Sequence, residues 1–438
     1  MVFRTSHFET LQKLAIFLVF AMILAANAAV ADSGFTSQRR LGYDQGDQWE
    51  PALTADAHGH IYILFPQYGP VPGCPSCTTP AMALLVSNDN GLSWDAPRPL
   101  FTSASAGQFD AQIKVDPEDG QTLYASWMQG KHDIVVARSQ DSGRSWYFAV
   151  AEHSPDVAID KPVLAVRGPN VYVSFNHDQT LSVAASHDYA QNFSSAVVNP
   201  GAAPGWSLAA GATVDRGGNV FFSWMAYPRT DVLTRPVEVF ISRSADGGRT
   251  WTATPLDISS TAPSCSAQAC SDGFLASQMA LASDDAGVIY AIWNSGSVIG
   301  GPQRIYFSSS TNEGGSWSAK TGISDASAGV EHCFPAVSAG AAGDVRIAWM
   351  DTRKVDRENH PVWNTFYRAS TNGGATWSPE VQLSGPVHGY DYILPNGFLF
   401  PFGNLFSIAI DNVGVTHVVW GEGRNYLSPG SIWYTRGR

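Results

Sequence analysis

Short runs in which apolar and polar residues alternate, broken by turns rich in Asp and Gly, recur along almost the whole 438-residue chain. Seven stretches share one layout: residues 50–65, 110–127, 161–175, 208–224, 277–293, 334–349 and 406–420. In each, as in "LAAGATVDRGGNVFFSW" (208–224), one alternating run leads through a turn into a second that ends in an aromatic residue. That is the pattern of a β-hairpin. A third run follows, such as "VEVFISRS" (237–244), then a recurring octet, then a short fourth run such as "WSPEVQLS" (377–384). No stretch carries helical periodicity.

The octets read "SNDNGLSW" (87–94), "SQDSGRSW" (139–146), "SADGGRTW" (244–251), "STNEGGSW" (310–317) and "STNGGATW" (370–377), with a worn copy "SHDYAQNF" at 186–193. Their first residues lie 47 to 66 positions apart, so one structural unit repeats. Gly lets such a turn reach positive φ, Asp and Ser oxygens accept backbone N–H groups within it, and Trp is expected to pin it onto the next unit. Four antiparallel strands repeated seven times predict an all-β, seven-bladed β-propeller, seven blades rather than six. The last strand, 431–436, stops where a seventh octet would begin, while "FTSQRRLG" (35–42) has no blade of its own. Pairing the two closes the ring and covers two sheet edges.

The octet is the Asp-box (BNR repeat) motif, and its recurrence resembles the sialidase-like superfamily over residues 32–438, expected to be one propeller domain. The resemblance implies that the octets lie on the face away from the active site. It does not extend to the sialidase Arg-Ile-Pro signature: the corresponding position reads "WEPAL", with Glu50 before Pro51. The position of the sialidase catalytic Tyr corresponds to Phe406. The chain is more similar to secreted Asp-box proteins that carry a "WMDTR"-like stretch (349–353).

Composition narrows the partners. The net charge is −12, and only 15% of residues are charged. Such a surface disfavours nucleic acid and anionic membranes, which are bound through Lys and Arg. Residues 1–31 read as a signal peptide, with Arg4 and Lys13 in a weakly basic start before the apolar run and "AVA" (29–31) offering small residues for cleavage. The run is shorter than the ~20 residues a bilayer span needs. The exported product is thus expected to be secreted or periplasmic, off the membrane and monomeric. Cys74/Cys77 and Cys265/Cys270 sit in loops and suit local disulfides, and Cys333 is left over.

On this topology, polar residues at the start of first strands and the end of second strands converge on the axis. The carboxylates Glu50, Asp110, Asp160, Asp351 and Glu422 are candidates for acid/base catalysis on a glycan. Tyr68, Lys161, His177, Arg229, His332, Arg353, Tyr392 and Arg424 are candidates for substrate binding. Arg side chains can clamp a substrate carboxylate, His can shuttle protons, and the long loops 66–80 and 384–404 add aromatic surface. Each acid has a plainer alternative, satisfaction by a backbone N–H or a neighbouring Arg, and Asp351 and Arg353 can simply pair with each other. No cofactor is implied. Asp351, Glu422 and His332 lack metal-ligand spacing, and structural calcium is compatible with an exported acidic chain but unmarked. The expected function is glycoside hydrolase or lyase chemistry at the axial mouth. The alternative is a non-catalytic propeller that binds glycan or protein.

Overall fold

A computed structural model describes residues 34–101, 106–178, 180–199, 205–228, 236–260, 278–299, 301–357, 359, 361–387, 406–423 and 430–438. The leader, Cys265, Cys270 and most of loop 384–404 lie outside the described residues. The described chain contains no helix and forms seven antiparallel sheets, the blades of a β-propeller. Blade 2 shows the order: strands Gln108–Val115, Leu123–Gln129, Asp133–Ser139 and Tyr147–His153 pair consecutively from the axis outward. Blade 1 adds a short extra strand, Asp47–Gln48, beside its second strand, Ile61–Tyr68.

The ring closes as the sequence predicts. Blade 7 takes its inner three strands from Ser407–Ile410, Thr416–Gly423 and Gly430–Gly437, and its fourth from Arg39–Leu41. Arg39 pairs with Tyr434, Arg40 with Trp433 and Leu41 with Ile432.

Packing follows from the period-2 alternation, because each sheet has one apolar face toward each neighbour. Seven hydrophobic clusters result, one at every junction between consecutive blades. The cluster that joins blade 7 to blade 1 sets Val419, Ile432 and Tyr434 against Leu53, Ile61 and Phe65. The aromatic that ends the second strand is a fully buried Trp in five blades: Trp127, Trp224, Trp293, Trp349 and Trp420.

The octets form the turns between third and fourth strands. The first Ser Oγ accepts the N–H four residues on, as in Ser139 from Gly143 at 2.9 Å, and the Asp accepts the N–H four residues beyond itself, as in Asp141 from Ser145 at 2.9 Å. Hydrogen bonds from the Ser145 hydroxyl and the Ser145 N–H hold the Asp141 carboxyl down at about 2. Two successive residues must take left-handed φ, Gly247 and Gly248 in one copy. In the worn copy Tyr189 and Ala190 adopt it, at +62° and +64°. The octet Trp packs not on the following blade but on the preceding one: Trp146 of blade 2 lies against Leu84 of blade 1, and Trp251 of blade 4 joins the cluster it shares with blade 3. The twist of each sheet carries its outer turn back over the earlier neighbour.

Candidate active site

The mouth is the end at which the first strands begin. There the chain repeats a second local device. Glu50, Asp110, Lys161 and Phe334 open the first strands of blades 1, 2, 3 and 6, and all adopt left-handed φ, between +51° and +56°. In blades 2, 3 and 6 the register with the second strand slips at this point. A bulge of this kind re-aims a side chain, and non-Gly residues at positive φ cost about 1–3 kcal/mol each. Pro follows in three of the four, at Pro51, Pro162 and Pro335. Three of the four re-aimed side chains carry charge.

They meet. Lys161 Nζ donates to Asp110 Oδ1 at 2.7 Å, and the Lys161 backbone N–H donates to Asp160 Oδ1 at 2.9 Å. Lys161 thus bonds both carboxylates, through its ammonium and its backbone N–H. Burial raises Asp160 to about 6, with Lys161 opposing the rise and Asp110 adding to it. Burial alone would lower the Lys161 ammonium, but Asp110, Glu50 and Asp160 outweigh it and hold it charged well above the ordinary lysine value. Tyr68, at the end of the second strand of blade 1, is pushed above the ordinary phenol range by burial and by Glu50. Its ring centroid is 4.5 Å from that of Trp49 and 6.4 Å from that of Phe109, an aromatic wall beside the carboxyls. Asp110 and Lys161 also line an axial cavity of about 150 Å³ to which all seven first strands contribute.

The remaining candidates lie elsewhere. Asp351 is fully buried, accepting from Trp349 Nε1 at 2.9 Å and from Arg353 Nη2 at 2.6 Å. Arg353 continues to Glu380 and to Ser324 Oγ at 2.9 Å, and its guanidinium lies 4.0 Å from the Phe366 ring centroid. His332, also fully buried, bonds Ser324 Oγ through Nε2 at 2.8 Å and stands 3.7 Å from Asp351. Burial lowers its pKa, with Asp351 opposing. This knot satisfies itself within blades 5 and 6. Glu422, in blade 7, repeats the Trp-x-acid contact: Trp420 Nε1 donates to it at 2.5 Å. Burial raises Glu422 to about 8, against the bonds from Trp420 and Gln38. His177 bonds Ser154 Oγ at 3.1 Å, one strand out from the axis. Arg229, Tyr392 and Arg424 lie outside the described residues. Among the described residues no three His, Cys, Asp or Glu side chains converge to hold a metal ion.

Two participants had no visible sequence signal. Glu380 lies 27 residues beyond Arg353, on the outer part of blade 6, and Ser324 is one serine among many. Cys74 and Cys77 form a disulfide in the loop after Tyr68.

No protein-family model matches the sequence, and no curated protein matches it. Solved structures do. A Dyadobacter fermentans protein of unknown function is similar at 14% identity over 92% of this chain and 98% of its own, with a TM-score of 0.50. A Hadza microbial sialidase is similar at 14% identity over 90% of this chain, which spans 66% of that enzyme, with a TM-score of 0.48. A polysaccharide lyase of family 25, an ulvan lyase, is similar at 11% identity over 90% and 95% of the two chains, with a TM-score of 0.48. At these identities the likeness is one of fold, and the functional argument rests on the residues at the mouth.

Proposed function

We propose that this protein is an exported, sialidase-like propeller that acts on glycans at its axial mouth, with Glu50, Asp110 and Asp160 as the acid/base carboxyls and Lys161 and Tyr68 as their positioning and substrate-binding partners. The observation that carries this reading is the convergence of three carboxyls on Lys161 beside an aromatic wall. Polar groups fixed beside clustered aromatic rings suit a sugar, which presents hydroxyls at its edge and C–H groups on its face.

Carboxyls that flank a glycosidic bond stand ~5–5.5 Å apart in a retaining enzyme and ~6.5–9.5 Å in an inverting one. Asp110 and Asp160 both bond Lys161, one through its ammonium and one through its backbone N–H, and act as one unit in this reading. Glu50, whose charge also acts on Lys161, is then the opposing partner. An acid near 6 is half protonated at mildly acidic pH, which suits proton donation to a leaving oxygen or proton removal in a lyase step. The self-satisfied Asp351 and Glu422 serve the blades rather than the substrate in this reading.

The test is a screen of the purified protein against neutral and acidic glycans, read as released reducing sugar or as new unsaturation. Release with a pH–rate limb near 6 that disappears in Asp160→Asn supports the reading. Retention of glycans without turnover would move the protein to the binding class.

A further inference from the structure

The sign of the charge at the mouth bears on the kind of sugar it takes. Asp110 and Lys161 pair at 2.7 Å, and the Lys161 backbone N–H reaches Asp160 at 2.9 Å. Solvent reaches these groups unequally: the Lys161 and Asp110 side chains are 17% and 6% exposed, whereas Asp160 is the exposed member. An incoming ligand therefore meets a carboxyl group before it meets the ammonium. Glu50 adds a third carboxyl whose charge acts on Lys161, so three acids stand around one cation. A cleft lined by one sign of charge concentrates ligands of the other sign and turns away its own.

The cations that would reverse that sign are engaged or stand further out. Among the described residues, Arg353 donates to Asp351 at 2.6 Å and to Glu380, and Arg304 donates to the Ser324 and Ala326 carbonyls, each at 3.1 Å. Lys131, Lys354 and Arg357 are exposed, but they lie where second strands pass into third strands, not on the first strands that circle the axis. The aromatic wall acts in the same sense as the acids. Trp49 precedes Glu50 and Phe109 precedes Asp110 in the chain, and Tyr68 stands between the two rings, 4.5 Å and 6.4 Å from their centroids. Tyr68 and Phe109 are half-buried, so ring surface stays open to a ligand. The face of an aromatic ring attracts a cation. Charge and rings thus favour one ligand class on separate physical grounds.

Resting on the glycan reading above, we propose that the mouth selects sugars carrying a free amine, bound as the ammonium beside Asp160 and the aromatic wall, and rejects acid sugars.

The experiment is calorimetric titration of the purified protein with three tetrasaccharides at constant ionic strength: β-1,4-linked glucosamine, its fully N-acetylated form, and galacturonate. Wild type, Asp160→Asn and Phe109→Leu are compared, and release of reducing sugar is followed with the same three. Support is glucosamine tetramer bound at least tenfold more tightly than its N-acetylated form, no binding of galacturonate, and a preference that falls at least fivefold in Asp160→Asn and by less in Phe109→Leu. Equal binding of the amine and N-acetylated tetramers, a preference for galacturonate, or a preference unchanged in Asp160→Asn overturns the proposal and leaves the glycan reading standing. Neither binding nor release with any sugar sinks both. Calcium that binds wild type but not Asp160→Asn, with no preference among the sugars, assigns the carboxyl to a metal ion and overturns the proposal too. Should Asp160→Asn fail to fold, the wild-type preference decides it: it must fade as salt is raised, and a preference that salt leaves unchanged counts against the charge.

Discussion

The two rims of the ring use the same backbone conformation to opposite ends. On the octet rim, left-handed residues are mostly glycines, and what they achieve is closure of a turn: Ser139 Oγ and Asp141 collect the N–H groups, and Trp146 covers the blade before. At the mouth the left-handed residues are Glu50, Asp110, Lys161 and Phe334, and what they achieve is direction, turning a side chain toward the axis. A residue tolerating positive φ without the glycine exemption holds strain that packing elsewhere must offset, and such strain concentrates at functional positions. The octets repeat with little variation because each solves the same local problem. The mouth positions differ from blade to blade because together they build one asymmetric cluster.

The comparison breaks most visibly if the ring can do without its closing strand. Removing residues 34–42 uncovers the edge of Gly430–Gly437 and takes Leu41 from the junction between blades 7 and 1. We expect loss of the cooperative thermal transition, checked by calorimetry and near-UV circular dichroism. Next comes Lys161→Met, which leaves Asp110, Asp160 and Glu50 facing one another without their cation. Breaking one partner out of a buried pair costs about 3–5 kcal/mol, and denaturant unfolding should show the loss growing from pH 6 to pH 8 as the Asp160 carboxyl, raised to about 6, ionises. Ser139→Ala strips the acceptor from the buried Gly143 N–H, a cost of about 1–3 kcal/mol that should leave any glycan activity intact.

The smallest effect concerns Glu422. Its carboxyl is raised to about 8 in the folded protein, so between the ordinary Glu value and 8 the folded state binds more protons than the unfolded one. Its contribution is therefore fully present below about 4.3 and fades as pH rises through 8. Glu422→Gln should shift Tm little at pH 4.5 and raise it by a few degrees at pH 8 relative to wild type.

Much of this was legible in the residues. The octet spacing and the seven hairpins determined the blade count, and the orphan stretch around Arg39–Leu41 pointed to its partner near Trp433. Glu50, Asp110, Asp160, Lys161 and Tyr68 were legible as polar strand ends because strand alternation and propeller topology place such ends at the axis. What separates them from Asp351 and Glu422 was not. A Trp two residues earlier whose Nε1 turns onto the carboxyl, as Trp349 and Trp420 do, depends on side-chain rotamers and not on spacing.

The most direct measurement compares glycan release by wild type, Glu50→Gln and Ser139→Ala, each with its Tm. The account predicts that Glu50→Gln loses at least about 100-fold in rate with Tm nearly unchanged, while Ser139→Ala keeps its rate at a lowered Tm. A fully active Glu50→Gln, or a folded but inactive Ser139→Ala, would contradict it.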